Sequence, residues 1–284
     1  MPGRMTRRSL RRLMAAGLGV LTVCFIVWPA RADLALYGGD EQTREHLHAL
    51  LTTELTPVQW RHRDLVVTVG AEALADFCKS GSSTPVIATY LYGNQLPLAS
   101  ENCTSTVAVI PVDPPANVLH RLARALFPDS TTAMLVADGG EADMVDSPIL
   151  QLPVPKDGVA RGLGRLISDG HWDVFLMPVD PRVYRGTDYR LALETLFRHR
   201  KPAVVSIPSL LSQGAVAAAY YTPAMLNAAL RETFRHWVQS GKLVAKRPPD
   251  VQVKVNQTVL RNGFGRVLAD QEERALEAEV NSGE

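Results

Sequence analysis

Short apolar runs and amphipathic stretches alternate along the chain from Asp33 onward. Residues 34–39, LALYGG, read as a buried strand stopped by glycines. Residues 40–55 read as the helix after it, with acids near the start where they suit the positive end of the helix dipole. Residues 64–70, DLVVTVG, are almost continuously apolar, as strands buried on both faces of a parallel sheet are, and AEALADFCK follows as a helix. Residues 85–93 and 106–113 are the next strand candidates. In ANVLHRLARALF, Val118, Leu122 and Leu126 recur every four residues with Arg121 and Arg124 opposite, a helical period that Pro128 ends.

The pattern then restarts. TTAMLVAD (131–138) predicts a strand, DGGEADMVDS an acidic loop, PILQLPV a short strand and DGVARGLGRLISDG a helix. WDVFLMPVD predicts a strand, GTDYRLALETLFRHR a helix, residues 202–208 a strand and residues 214–221 a further apolar run. A long helix follows, with Leu226, Leu230, Phe234 and Trp237 as its stripe and Gly241 near its stop. The acidic tail, 271–284, has helical composition and is expected to fray. Two such blocks predict an α/β protein of two doubly wound parallel-sheet lobes. Ligands of such sheets bind beyond the carboxyl ends of the strands, so an interlobe cleft is where chemistry is sought.

Charge changes this picture at the N-terminus. The first 32 residues hold six arginines and no acid, and the remainder has 24 basic residues against 29 acidic, a net of −5. A mildly acidic chain gives no reason to expect nucleic acid as a partner. The arginine-rich start, the apolar run 13–28 and Ala30-Arg31-Ala32 predict an export signal cleaved after Ala32 and a periplasmic mature protein. The run is shorter than the roughly 20 residues of a spanning helix. Thr6-Arg7-Arg8-Ser9-Leu10 fits either a twin-arginine motif or an ordinary basic leader. Cys24 leaves with the signal. Cys78 and Cys103 remain, either as a disulfide, the expected state of a pair in an exported protein, or as two separate thiols.

Candidate chemistry is sparse. No G-x-S-x-G elbow or Walker loop occurs, and the Gly162–Gly164 pair lies inside a helical pattern rather than after a strand. His46 and His48 point in different directions on a helix, and the acids of DGGEADMVD lack calcium-loop spacing. No enzyme activity, metal or cofactor is therefore expected. Tyr37, Tyr90, Tyr92, Tyr184 and Tyr221 stand at or beyond strand ends. They either line a cleft for a small, partly apolar solute or pack between layers. Asp180, where an apolar run breaks at Pro178-Val179-Asp180-Pro181, is either a turn residue or a cleft residue.

The order WDVFLMPVDPRVY, KPAVVSIPSLLSQGAVAAAYYTPAMLNAALRETFRHWVQSGKL and VQVKVNQTVLRNGFG resembles the ABC-transporter substrate-binding proteins of the aromatic-amino-acid-binding-like type. DLVVTVGAEAL resembles a strand–glycine–helix element of that family's first lobe. The resemblance implies a type I periplasmic-binding fold, with lobe one at 33–128 completed by 222–270 and lobe two at 129–221. It implies a cleft formed by Tyr37, Gly38, Gly70, Ala71, Tyr90, Asp180, Tyr184, Ser206 and Tyr221. Gly70 and Ala71 would offer N–H groups to a carboxylate, and Asp180 would accept from an amino group. The implied partners are a small solute, such as an amino acid or small carboxylate, and a membrane permease. PRVYRG after Asp180 departs from the family pattern. Two further readings are a degenerate binding fold that docks on a sensory or other inner-membrane complex, and an exported enzyme.

Overall fold

Two sheets, one wholly and one largely parallel, organise the chain, and alternation along each strand decides which helix it meets. The computed structural model describes residues 34–53, 64–137, 148–245 and 250–282. The expected export signal, Cys24 and the acidic loop DGGEADMVDS lie outside the described residues.

The first sheet holds β1 (Leu34–Gly38), β2 (Leu65–Val69), β3 (Val86–Thr89) and β4 (Val107–Ile110), all parallel and in that spatial order. Side chains along a strand alternate between faces. Leu65, Val67 and Val69 therefore share a core with Leu47 and Leu51 of α1 (Glu41–Thr52) and with Leu230, Phe234 and Trp237 of α7 (Pro223–Ser240). Val66 faces the other way, toward Leu74 and Phe77 of α2 (Ala71–Lys79) and Ala99 of α3 (Leu96–Ser100). Asp40 caps α1 by accepting from Thr43 N at 2.7 Å, as its acidic start suggests. Cys78 on α2 and Cys103 before β4 are paired, with Cα atoms 4.3 Å apart.

The second sheet runs β10-β9-β8-β7-β5-β6, from β5 (Thr132–Val136), β6 (Ile149–Pro153), β7 (Val174–Met177), β8 (Ala203–Val205), β9 (Ala217–Tyr220) and β10 (Gln252–Val255). Every pairing is parallel except β10 with β9. One face is covered by α5 (Val159–Asp169) and α6 (Asp188–Arg198). The other is covered by α4 (Ala116–Leu126), α8 (Gln257–Phe264) and α9 (Asp270–Ser282). The expected doubly wound α/β architecture is present in both lobes.

The allocation of elements differs from the expected boundaries. The apolar stripe of α4, expected in lobe one, packs under β7, β8 and β9. Of residues 222–270, α7 covers the first sheet, whereas β10 and α8 belong to the second. Periodicity shows that a helix has an apolar face but not which sheet that face meets. The strand expected over 85–93 stops at Thr89, because Tyr90 adopts φ 58° and turns the chain. The acidic tail is helical as far as Ser282. Leu276 and Val280 of α9 are buried, and Arg121 Nε donates to Val280 O at 3.0 Å.

Candidate functional site

The carboxyl ends of the parallel strands carry almost every residue expected at a site, but the structure sorts them into different surroundings. At the first sheet, Tyr37 and Tyr90 are 51% and 46% exposed, and Tyr37 packs on Phe77 of its own lobe. Gly38 is required by its turn: at φ 76° an added Cβ would sit 2.5 Å from Ala73 Cβ. Gly70 N donates to Thr89 O at 2.8 Å, so it is not offered to a ligand as expected. Ala71 opens α2, where first-turn N–H groups lack intrahelical partners.

At the second sheet, Asp180 is 6% exposed and its carboxylate is fully engaged in a turn. Oδ1 accepts from Arg182 N at 2.9 Å and Arg182 Nε at 3.2 Å, and Oδ2 accepts from Arg182 Nη2 at 3.1 Å. Its carbonyl accepts from Val183 N and Tyr184 N. Ser206 positions this loop from β8: its buried hydroxyl accepts from Val179 N at 3.0 Å. Tyr184 is buried in the core, stacked on Tyr189 with ring centroids 4.8 Å apart. Burial raises its hydroxyl pKa well above the usual value, with Tyr189 and Asp180 adding to the rise. Tyr221 packs half-buried against the core on the α4 side of the sheet.

The residue that sequence reasoning missed is Asp113. The tetrapeptide Pro111-Val112-Asp113-Pro114 after β4 repeats Pro178-Val179-Asp180-Pro181 after β7, one copy in each lobe. That repeat was the available signal. The two loops meet. Asn94 Nδ2, following β3, donates to Val179 O at 3.1 Å, and the neighbouring Gly93 N donates to Asp113 Oδ1 at 3.0 Å. Burial raises the Asp113 pKa from 3.8 to about 6; hydrogen bonds from main-chain N–H groups oppose the rise and the charge of Asp180 adds to it. Tyr189 feels Tyr92, Asp180 and Asp113, although burial is the main reason its pKa is pushed up to about 12. The structure thus gathers Asp113, Asp180, Asn94, Tyr92, Tyr184 and Tyr189 across the lobes.

Tyr189 also lines an open groove of about 440 Å³ with Gly186, Thr187, Arg190, Leu210 and Gln213. That volume is in the range of small-molecule sites. Among the described residues no cluster of three or more His, Cys, Asp or Glu side chains could hold a metal, and no helix is long and apolar enough to cross a membrane.

Two sheets joined by repeated crossings have counterparts among solved structures. A ligand-free, open structure of a substrate-binding protein with adhesive properties from Clostridium difficile matches with TM-score 0.56 at 13% identity, over 84% of this chain and 96% of that one. The fold is that of a type I periplasmic binding protein. A conserved domain protein from Vibrio cholerae matches with TM-score 0.53 at 12% identity, over 81% of each chain. An ABC domain in complex with L-Trp from Streptococcus pneumonia matches with TM-score 0.51 at 13% identity, over 85% of this chain and 97% of that one. At these identities the likeness establishes fold alone. No family model matches the chain, and no curated protein matches it by sequence.

Proposed function

We propose that this chain is an exported solute-binding protein that closes its two lobes on a small molecule and presents it to the permease of an ABC-type uptake system. The observation that carries this reading is the Gly93-Asn94 segment after β3, which donates to Asp113 of one Pro-Val-Asp-Pro loop and to Val179 O of the other and so ties the two lobes at their strand ends. Solute-binding neighbours of the same fold support it. The protein acts in the periplasm after removal of residues 1–32, and no catalytic step or cofactor is invoked.

Thermal-shift screening of amines, amino acids, small carboxylates and sugars tests it. A specific solute at a hundredfold excess over Kd adds about 2.7 kcal/mol of stability. Asp180→Ala, which removes the anchor of the β7 loop, is expected to abolish that gain while the variant still folds. A protein that no solute stabilises overturns the reading.

A second reading has its own observation. Asp180 is occupied by Arg182 and Tyr184 is sunk into the core, which suits a fold whose cleft has lost its solute and serves as a docking partner of a membrane complex. Stable association with a purified inner-membrane complex, without solute binding, favours it.

A further inference from the structure

Hydrogen-bond acceptors around the Gly93-Asn94 link between the two loops lack enough donors. Asp113, 8% exposed, receives Gly93 N–H on Oδ1 and a weaker contribution from its own main-chain N–H, and it pairs with no cation among the described residues. Asn94 donates through Nδ2 to a carbonyl, Val179 O. A carbonyl can only accept, so the amide nitrogen must face Val179 and Oδ1 must face away. That oxygen is buried with no hydrogen-bond partner among the described residues. The Tyr184 hydroxyl, on a side chain only 3% exposed, is likewise buried and unpartnered, and it lies near enough to Asp180 to feel its charge.

The charges point the same way. Asp113 and Asp180 feel each other, and Arg182 is held by Asp180 through both carboxylate oxygens. Setting Arg182 against Asp180 leaves one carboxylate unneutralised. The other groups facing it, Tyr189 and beyond it Tyr92, bring no positive charge. A buried carboxylate without a cation is costly, and the cost is relieved either by a proton or by a positive ligand.

We infer that Asp113 and Asn94 form the charge-selective end of the cleft and receive the protonated amine of a small solute whose net charge is +1. The inference rests on the solute-binding reading above and narrows its ligand. An ammonium carries three donors and no acceptor, which complements Asp113, Asn94 Oδ1 and the tyrosine oxygens. Nearby tyrosine rings can add cation–π attraction. A zwitterion would bring a carboxylate into a region whose guanidinium is already committed, and an anion would meet like charge. Burial holds a proton on Asp113 up to about pH 6. Binding then exchanges it: the carboxylic acid loses H⁺ to solvent, and the carboxylate left behind pairs with the ammonium.

Tyramine, tyrosine and 3-(4-hydroxyphenyl)propionate share a ring and differ in net charge, so they are the probes. Calorimetry and thermal shift are expected to show tyramine binding at least tenfold more tightly than tyrosine, and the propionate weakest. Asp113→Asn should weaken tyramine binding at least tenfold at pH 7.5. For the unmodified protein, calorimetry in two buffers of different ionisation enthalpy should show proton release near pH 6 that disappears by pH 8. This measurement serves if the variant fails to fold. Tyrosine or the propionate binding as well as tyramine, an unchanged Asp113→Asn, or binding without proton release overturns the inference. Solutes that bind only when neutral or anionic overturn it and leave the solute-binding reading standing. If no solute of any charge binds, that reading fails as well.

Discussion

Asp113 and Asp180 end the same Pro-Val-Asp turn, and a single position separates their electrostatics. Two residues beyond Asp180 stands Arg182, whose main-chain N–H and guanidinium both reach the carboxylate. Two residues beyond Asp113 stands Pro115, which has neither N–H nor charge. Asp113 therefore turns to Gly93 N, and burial outweighs that bond. A carboxyl whose pKa is raised on folding stabilises fully below its unfolded value, near 3.8, and that stability is lost as pH rises through about 6. Two pKa units correspond to about 3 kcal/mol. Asp113→Asn keeps the acceptor for Gly93 without the charge. Denaturant unfolding is expected to give wild type and variant equal stability near pH 4, with the variant ahead by about 3 kcal/mol at pH 8. Parallel curves across that range would refute the assignment. Asp180 could be picked from sequence because a proline-flanked acid ended an apolar run. Asp113 carried the same mark, but only its burial beside the Asn94 tie and the charge of Asp180 gave it weight. The fate of the tyrosines was not legible, because position along a strand says nothing about whether a hydroxyl is later covered. Tyr184 folds beneath its turn, whereas Tyr37 and Tyr90 stay exposed.

Helices and strands were recoverable where an apolar pattern met a cap or a breaker. The Asp40 cap and the Thr222 cap, which accepts from Met225 N, both stand where an amphipathic pattern begins. In the last helix, acidic composition masks two apolar anchors. Leu276 and Val280, four residues apart, lie on one face and enter the core beside α4. Polar contacts then lock α9 to β10. Asn281 accepts from Val251 N at 2.8 Å and donates to Val251 O at 3.1 Å, while Glu277 accepts from Val253 N at 3.2 Å. Burying those two side chains stabilises by roughly 3–6 kcal/mol. Truncation after Asp270 should remove at least that much, read as a lower denaturation midpoint or failure to fold. A truncated chain as stable as the full one would restore the frayed-tail expectation.

Across the whole molecule, the chain changes lobe after β4, after β9 and after α7, so the strand ends of both sheets can face one another while remaining covalently linked. Asn94 to Val179 is a polar tie across that interface. Asn94→Ala should shift the population toward a more open molecule, seen as a larger radius of gyration in solution scattering, and should weaken binding of any cleft solute. An unchanged radius together with unchanged affinity would show that the tie does not hold the lobes. The order of apolar runs, turns and amphipathic helices determined by itself that this is an α/β protein built from parallel sheets, because backbone hydrogen bonding and burial periodicity are local properties. Only the tertiary structure decided which sheet α4, β10 and α9 serve, that Tyr184 is core, and that Asp113 comes close enough to Asp180 to feel its charge. Those outcomes depend on contacts between residues far apart in the chain, whose pairing no local pattern encodes.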